Sequence, residues 1–298
     1  METRTLRYFL MIAREENMTN AANLLHISQS ALSRQMADLE TQLHTTLFVR
    51  TNRKTVLTED GWRLYKRANE IIDLIDKTEN ELQTKNNDFK ENIYIGAGET
   101  KAFLLLCEVM HEMEKEYSNI HFHIYSGNTI DVMEKLEHGL LDFGLLFEKA
   151  SEDKYEIIPI PISDTVGLLV KKEDKLALKE FITEEELIGL PLILSTKADT
   201  NPDSLFSLKN LKQLNRVGTY NLLYNASLMV QEGMGYALTI DGIISTENDN
   251  PLRFIPMNPK REMHTFFVWK KNQKLSKGKQ LFIEKLQKSC IQLKNKKL

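Results

Sequence analysis

A change of hydrophobic period near residue 90 divides this 298-residue chain into two kinds of structure. Before it, apolar side chains recur every three or four residues; after it, short β-prone runs alternate with helical ones. Periods of 3.6 and of 2 cannot coexist in one element, so a helical N-terminal part precedes an α/β part. The length suits about two domains, each able to bury its own core.

Within the first part, Leu6, Phe9, Leu10 and Ala13 mark an amphipathic helix ending near Asn17. Thr19 can cap a short second helix, Asn20 to Leu25, whose Ala21-Ala22 pair permits close helix packing. His26-Ile27 makes a tight turn, and Ser28 is a good cap for a third helix. In that helix Leu32, Met36, Leu39 and Leu43 share one buried face. Gln29, Ser30, Ser33, Arg34 and Ala37 fall on another, which is polar and short-chained. Glutamine can pair with adenine, arginine can bond guanine O6 and N7 bidentately, and serine serves bases or phosphates. Taken alone, the same face also fits an ordinary solvated helix surface.

The next segment favours the first of these readings. Leu47 to Arg50 and Thr55 to Leu57 are short β-prone runs around Thr51-Asn52-Arg53-Lys54, a hairpin with a basic tip. Beside a recognition helix, a basic wing holds phosphates or enters the minor groove, giving Arg50, Arg53 and Lys54 a role. The net charge of −3 does not suggest a nucleic-acid partner, but its distribution is uneven. Residues 1–67 carry ten Lys+Arg against seven Asp+Glu, and residues 270–298 carry ten lysines against Glu284. Such basic ends are compatible with DNA and with plain solvation alike.

On these residues the chain closely resembles the LysR-type transcriptional regulators. The resemblance runs through Leu6-Arg7-Tyr8-Phe9, Met18-Thr19-Asn20-Ala21-Ala22, Leu25 to Gln35, Leu39-Glu40, Leu47 to Arg50 and Leu57 to Gly61. It implies a winged helix-turn-helix over residues 1–58 that binds double-stranded DNA through Thr19, Ser28, Gln29, Ser30, Ser33, Arg34, Arg50, Arg53 and Lys54. One departure is His44, where the family usually has a glycine suited to a left-handed helix C-cap.

Thr58 can cap a long helix from Glu59 to about Lys85. Tyr65, Ala68, Ile72, Ile75, Glu79 and Leu82 form a heptad seam with one polar break, and Leu64, Ile71 and Leu74 widen it. This is more apolar surface than one neighbour needs. Pairing with the same helix of a second subunit through Tyr65, Ala68, Ile72, Ile75 and Leu82 explains it, and the resemblance implies a homodimer or homotetramer. Packing onto its own domain is the other account. The polar run Thr84 to Asn92 then reads as a hinge, so that residues 59–88 are linker and dimerisation segment.

From residue 89 to 298 the order is strand Ile93–Gly96, helix Lys101–Tyr117, strand Ile120–Tyr125, helix Ile130–His138 and strand Phe143–Phe147. A second set follows: strands Thr165–Val170, Pro191–Ser195 and Arg216–Thr219, helix Leu222–Glu232 and strand Tyr236–Ile240. A late strand, His264–Lys270, and a closing helix, Lys277–Leu293, complete an α/β domain of largely parallel sheets. Overall the fold class is α+β. The C-terminal part resembles the family's effector-binding domain, two α/β lobes like those of periplasmic binding proteins. Gly139 to Leu145 and Val230 to Leu238 match the helix-to-strand turns of its two lobes.

Ligands of open α/β sheets sit beyond the carboxyl ends of strands, near helix N-termini. That rule selects Thr100, Lys101, Gly127 and Asn128 in the first lobe, and Ser195 and Thr196 in the second. Helix N-termini and Lys101 favour an anionic effector such as a small carboxylate; each residue also fits a plain turn or cap.

Other features point away from chemistry. His121 and His123 alternate on a strand without metal-ligand spacing, and Cys107 and Cys290 lie far apart without a CxxC. No phosphate loop, GxSxG or dinucleotide fingerprint occurs, so no catalytic residue, metal or cofactor is expected. No apolar run of 18 residues and no signal peptide is present, so the expectation is a cytoplasmic protein without a membrane partner. RNA polymerase is a further partner such a regulator meets at a promoter. The competing class is a solute-binding or catalytic α/β protein with an incidental helical N-terminus.

Overall fold

The computed structural model describes residues 1–50, 54–83, 91–196, 213–247 and 249–296. Two compact units, Met1–Asn87 and Asp88–Leu298, make up the chain. Arg53 and most of the polar run read as a hinge lie outside the described residues, as does the side chain of Arg50.

The first unit opens with α1 (Thr3–Glu15), α2 (Met18–Leu24) and α3 (Gln29–Leu43). Helix α1 ends at Glu15, close to the expected Asn17, because Glu16 turns into the left-handed region (φ 49°). Asn17, not Thr19, then caps α2: its Oδ1 accepts from the N–H groups of Thr19 and Asn20 at 2.9 and 3.0 Å. Asparagine is a stronger cap than threonine, and the helix starts two residues before the expected Asn20. Phe9, Ile12, Ala21, Leu32, Met36 and Leu39 are buried together, so the three helices share one small core.

Strands β1 (Phe48–Arg50) and β2 (Thr55–Leu57) form the antiparallel wing. Its root is tied to α3 by Glu40, whose Oε1 accepts from the N–H groups of Leu47 (2.7 Å) and Phe48 (3.2 Å). Thr58 caps α4 (Glu59–Gln83), accepting from Gly61 N–H at 2.9 Å while its hydroxyl donates to Thr46 O at 2.7 Å. Gly61 has no substitute there, since a Cβ would stand 2.2 Å from Leu47 O.

The second unit contains two lobes of the same plan. In lobe I, β3 (Glu91–Ala97) lies between β4 (Ile120–Ser126) and β5 (Phe143–Leu146), parallel to both. Helices α5 (Phe103–Glu116) and α6 (Thr129–Glu137) make the crossovers. In lobe II, β7 (Pro191–Ser195) lies between β8 (Asn215–Tyr220) and β9 (Tyr236–Ile240), again parallel to both, with α7 (Leu223–Gln231) between β8 and β9.

Two long antiparallel strands join the lobes. Strand β6 (Tyr155–Lys171) and strand β11 (Glu262–Lys270) pair with each other; β11 borders β5, and the far half of β6 borders β9. The first half of β6 and all of β10 (Leu252–Pro256) go beyond the strands expected from the sequence. Pro159 and Pro161 hide β6 from a pattern reading because proline cannot donate to a ladder. The pairing register slips between His264 and Phe266, opposite residues 159–163, so Pro161 falls in an irregularity where no ladder N–H is required.

Helix α8 (Lys277–Lys296) closes the chain against lobe I. Phe282 packs with Phe143 and Phe267, ring centroids 5.6 and 5.7 Å apart, and Leu286 is also fully buried. Cys290 of this helix and Cys107 of α5 are free thiols. Burial pushes both pKa values up, that of Cys290 to about 11, which suppresses the reactive thiolate. His123 stacks on Tyr94 with Nε2 3.0 Å from Asn92 Oδ1, and burial lowers its pKa; His121 is exposed beside it.

Candidate functional site

Among the described residues, two places combine exposure with defined chemistry, one in each unit. The first is the outer face of α3. At 100° per residue, Gln29, Ser30, Ser33, Arg34 and Ala37 occupy an arc separated from the buried Leu32, Met36 and Leu39. Gln29, Ser30 and Arg34 are exposed and Ser33 is half-buried. Ser28 is exposed as well, and its Oγ accepts from Ala31 N–H at 3.2 Å, which fixes the helix start beside this face. Thr19, also exposed, sits in the first turn of α2. Lys54 of the wing is exposed and ion-paired with Glu16. Thr55 N–H donates to Glu16 O at 2.8 Å, so the wing is anchored to the end of α1 by main chain and side chain together.

His44 takes the left-handed conformation that its position demands (φ 51°, ψ 35°). Its N–H donates to Thr41 O, and Thr45 N–H donates to Glu40 O at 3.1 Å, the paired bonds of a Schellman cap. A Cβ in that region costs about 1–2 kcal/mol, part of which is offset by the lower chain entropy of a non-glycine residue. His44→Gly is therefore expected to stabilise the first unit by about 0.5–1 kcal/mol. A rise in the midpoint of its thermal unfolding checks this; a fall rules out backbone strain at the cap.

Helix α4 divides the expected dimer seam. Ala68 (0% exposed) and Ile72 (7%) belong to the core of their own unit, packed with Leu6, Phe9 and Ile12. Tyr65 is half-buried beside them, edge-on to Trp62 at 5.5 Å, and Ile75 is half-buried too. The exposed apolar residues are Trp62, Ile71, Leu74 and Leu82. Packing onto its own domain thus accounts for Ala68, Ile72 and Leu64, while Ile71 and Leu74 of the widening stripe and Leu82 of the seam are left outside. A sequence period cannot separate two faces that adjoin on one helix.

The second place is a cavity of about 150 Å³ between the two lobes. Every parallel strand ends at it: Gly98 and Glu99 follow β3, Gly127 and Asn128 follow β4, and Phe147 follows β5. From lobe II come Ser195 at the end of β7 and Thr196 after it, Asn221 after β8, and Ile240 at the end of β9. Four of the six expected residues, Gly127, Asn128, Ser195 and Thr196, line it. Asn128 also caps α6, accepting from Asp131 N–H at 3.0 Å, and Thr196 Oγ1 donates to Tyr220 O at 3.1 Å.

Thr100 and Lys101 do not line this cavity. The Thr100 hydroxyl donates to Asp164 Oδ2 at 2.5 Å, and Lys101 N–H to Asp164 Oδ1 at 3.3 Å. Burial raises the Asp164 pKa against the pull of these bonds. Lys101 Nζ reaches across to lobe II and meets both oxygens of Asp241 at 2.8 Å. These two residues therefore fasten the lobes at the crossing strands, and Lys101 no longer argues for an anionic ligand.

Sequence reading passed over Glu99, Thr129, Tyr220 and Asn221, all on the lining. The strand-end rule could have reached Glu99 and Asn221, which follow β3 and β8; Tyr220 was missed because β8 runs one residue further than its pattern shows. Tyr220 is half-buried, desolvation pushes its phenol pKa up, and its hydroxyl donates to Leu238 O at 2.8 Å.

A helix-turn-helix with an exposed Gln/Ser/Arg face, carried with a two-lobed α/β unit that holds a strand-end cavity, defines a DNA-binding regulator with a ligand domain. Residues 3–62 match the model for the bacterial regulatory helix-turn-helix protein of the lysR family, and residues 86–291 match the LysR substrate binding domain. The chain belongs to the LysR family of transcriptional regulators.

Among its relatives is YbhD of Escherichia coli (strain K12), an uncharacterised HTH-type transcriptional regulator. The two are 29% identical over 192 residues, which is 64% of this chain and 60% of that protein. The HTH-type transcriptional regulator BsdA of Bacillus subtilis (strain 168) is 24% identical over 95% of this chain and 99% of its own length. Among solved structures, the LysR family regulator CbnR superposes with a TM-score of 0.75 at 18% identity, over 97% of this chain and 99% of that one. CbnR complexed with its target DNA gives 0.72 at 17% identity, over 97% and 100%. At these identities the likeness shows a shared fold.

Proposed function

We propose that residues 1–58 read an operator, residues 59–88 pair two subunits, and residues 89–298 hold the small molecule that controls them. The carrying observation is the exposed arc of α3, held in place by the Ser28 cap and braced by the Glu40-anchored wing. Gln29, Ser30, Ser33 and Arg34 meet base edges in the major groove, while Thr19, Ser28 and the wing residues Arg50, Arg53 and Lys54 hold phosphates. Lys54 exchanges Glu16 for a phosphate when DNA arrives; the pair is surface-exposed and weak enough to be given up.

Pairing uses the exposed stripe Trp62, Ile71, Leu74 and Leu82, with Tyr65 and Ile75 at its margin and Ala68 and Ile72 supporting it from the core. A homodimer presents two recognition helices to half-sites about one helical turn apart, and two dimers make a homotetramer. The effector sits between the lobes against Gly127, Asn128, Ser195 and Thr196. Such a protein works in the cytoplasm beside RNA polymerase, and among the described residues no helix is long and apolar enough to cross a membrane.

A gel-shift titration with the chain's own upstream DNA tests the reading. The expected result is a sequence-selective complex whose affinity falls steeply with salt as counterions are released. Absence of any selective, salt-sensitive complex refutes it.

A further inference from the structure

The cavity between the lobes is small and, among the described residues, largely apolar and of one charge. Its volume, about 150 Å³, is close to that of an apolar void that accommodates one benzene, so the occupant has roughly six to ten non-hydrogen atoms. Among the described lining residues the only charge is the carboxylate of Glu99. Glu99 reaches from lobe I and accepts a hydrogen bond at 2.5 Å from Leu223 N–H, the first residue of α7 in lobe II.

That placement decides the sign of the ligand. A helix N-terminus carries partial positive charge and ordinarily receives an anion. Here the protein's own carboxylate already occupies it. Lys101, two residues further on, is held by both oxygens of Asp241. A second carboxylate in this space would lie beside Glu99, where like charges repel. A cation meets the opposite situation. Phe147 and Tyr220 both line the cavity, and the Phe147 ring lies so near Gly98 that a Cβ there would be 2.7 Å from it. A carboxylate and aromatic rings together are the partners an ammonium group seeks, since it only donates hydrogen bonds and is drawn to π faces.

We propose that the effector is a small organic amine, its ammonium bound by Glu99 between the rings of Phe147 and Tyr220 and its apolar body filling the cavity. This rests on the reading that the cleft is the effector site. It also supplies the coupling. The ammonium competes for the carboxylate that ties lobe I to α7, so binding alters a bond whose presence depends on how the lobes sit.

The test is a thermal-shift titration of the purified full chain with probes matched in shape and different in charge: benzylamine, benzyl alcohol and benzoate, then cyclohexylamine, cyclohexanol and cyclohexanecarboxylate. The amines are expected to raise the melting temperature progressively with concentration, and the carboxylates to leave it unchanged. Glu99→Gln keeps a carbonyl for Leu223 N–H, so its ligand-free melting temperature stays near that of the parent. Its affinity for the amines is expected to fall about 10- to 100-fold, the loss of one charge-assisted bond. Stabilisation by alcohols or carboxylates alone, abolished by the cavity-filling Ile240→Trp, overturns the amine and leaves the cleft as the effector site. An amine shift unchanged in Glu99→Gln overturns the role of Glu99 and with it the proposal. A flat response to all six probes overturns both readings.

Discussion

Replacing Lys279 by methionine is expected to destabilise the second unit by about 3–5 kcal/mol. Asp142 follows the helix-to-strand turn of lobe I and is fully buried, and Lys279 in the first turn of α8 is nearly so. Their ion pair measures 3.1 Å, and Asp142 Oδ2 also accepts from Tyr94 N–H at 2.9 Å. A buried carboxylate that loses its cation keeps its full desolvation penalty, which is why removing one partner costs more than the pair contributes.

Urea unfolding followed by Trp269 fluorescence in a Trp62→Phe background measures the effect. Trp269 stands edge-on to Phe143 at 6.4 Å, in the core that α8 closes. The double variant Asp142→Asn/Lys279→Met is expected to recover much of the loss. Asparagine still accepts from Tyr94 N–H and brings no charge to bury. A single-variant loss below about 1 kcal/mol, the range of an exposed pair, contradicts the assignment of a buried one.

Arg34→Ala is expected to relax operator discrimination by about 1–3 kcal/mol at the base pair it reads. Arg34 is exposed and alanine is the better helix former, so the fold of the first unit is left intact. Competition gel shifts against single-base operator variants check this. Preference should flatten at one position in each half-site, with the salt dependence nearly unchanged. Undiminished selectivity, or a loss spread evenly over all sequences, would move Arg34 from the bases to the phosphates.

Much of the molecule is legible in its order of residues because the relevant rules are local. The spacing of Leu32, Met36 and Leu39 names the buried face of α3, and so by exclusion its exposed one. Ser28 and Thr58 cap their helices as residue type predicts. The boundaries of β7 and β9 coincide with their apolar runs. Where local rules compete, the reading slips. Asn17 outranks Thr19 as a cap, and Pro159 and Pro161 conceal a strand whose register breaks opposite Pro161 and resumes at Pro159.

The cleft shows the boundary between the two kinds of information. That ligand contacts lie at strand ends follows from α/β topology, and Gly127, Asn128, Ser195 and Thr196 could be named from sequence on that ground. Which charge stands in the cleft could not, because it depends on partners far away along the chain. Lys101 is removed from consideration by Asp241, 140 residues later, and Glu99 is brought in by the start of α7, 124 residues later. Period, caps and turn residues thus determined the helix-turn-helix, the wing and the alternation of strands and helices, since each acts within a few residues. Pairing between distant charges, and the division of α4 between its own core and its exposed stripe, were decided by tertiary structure alone, since a charge or an apolar face acquires its role only from what packs against it.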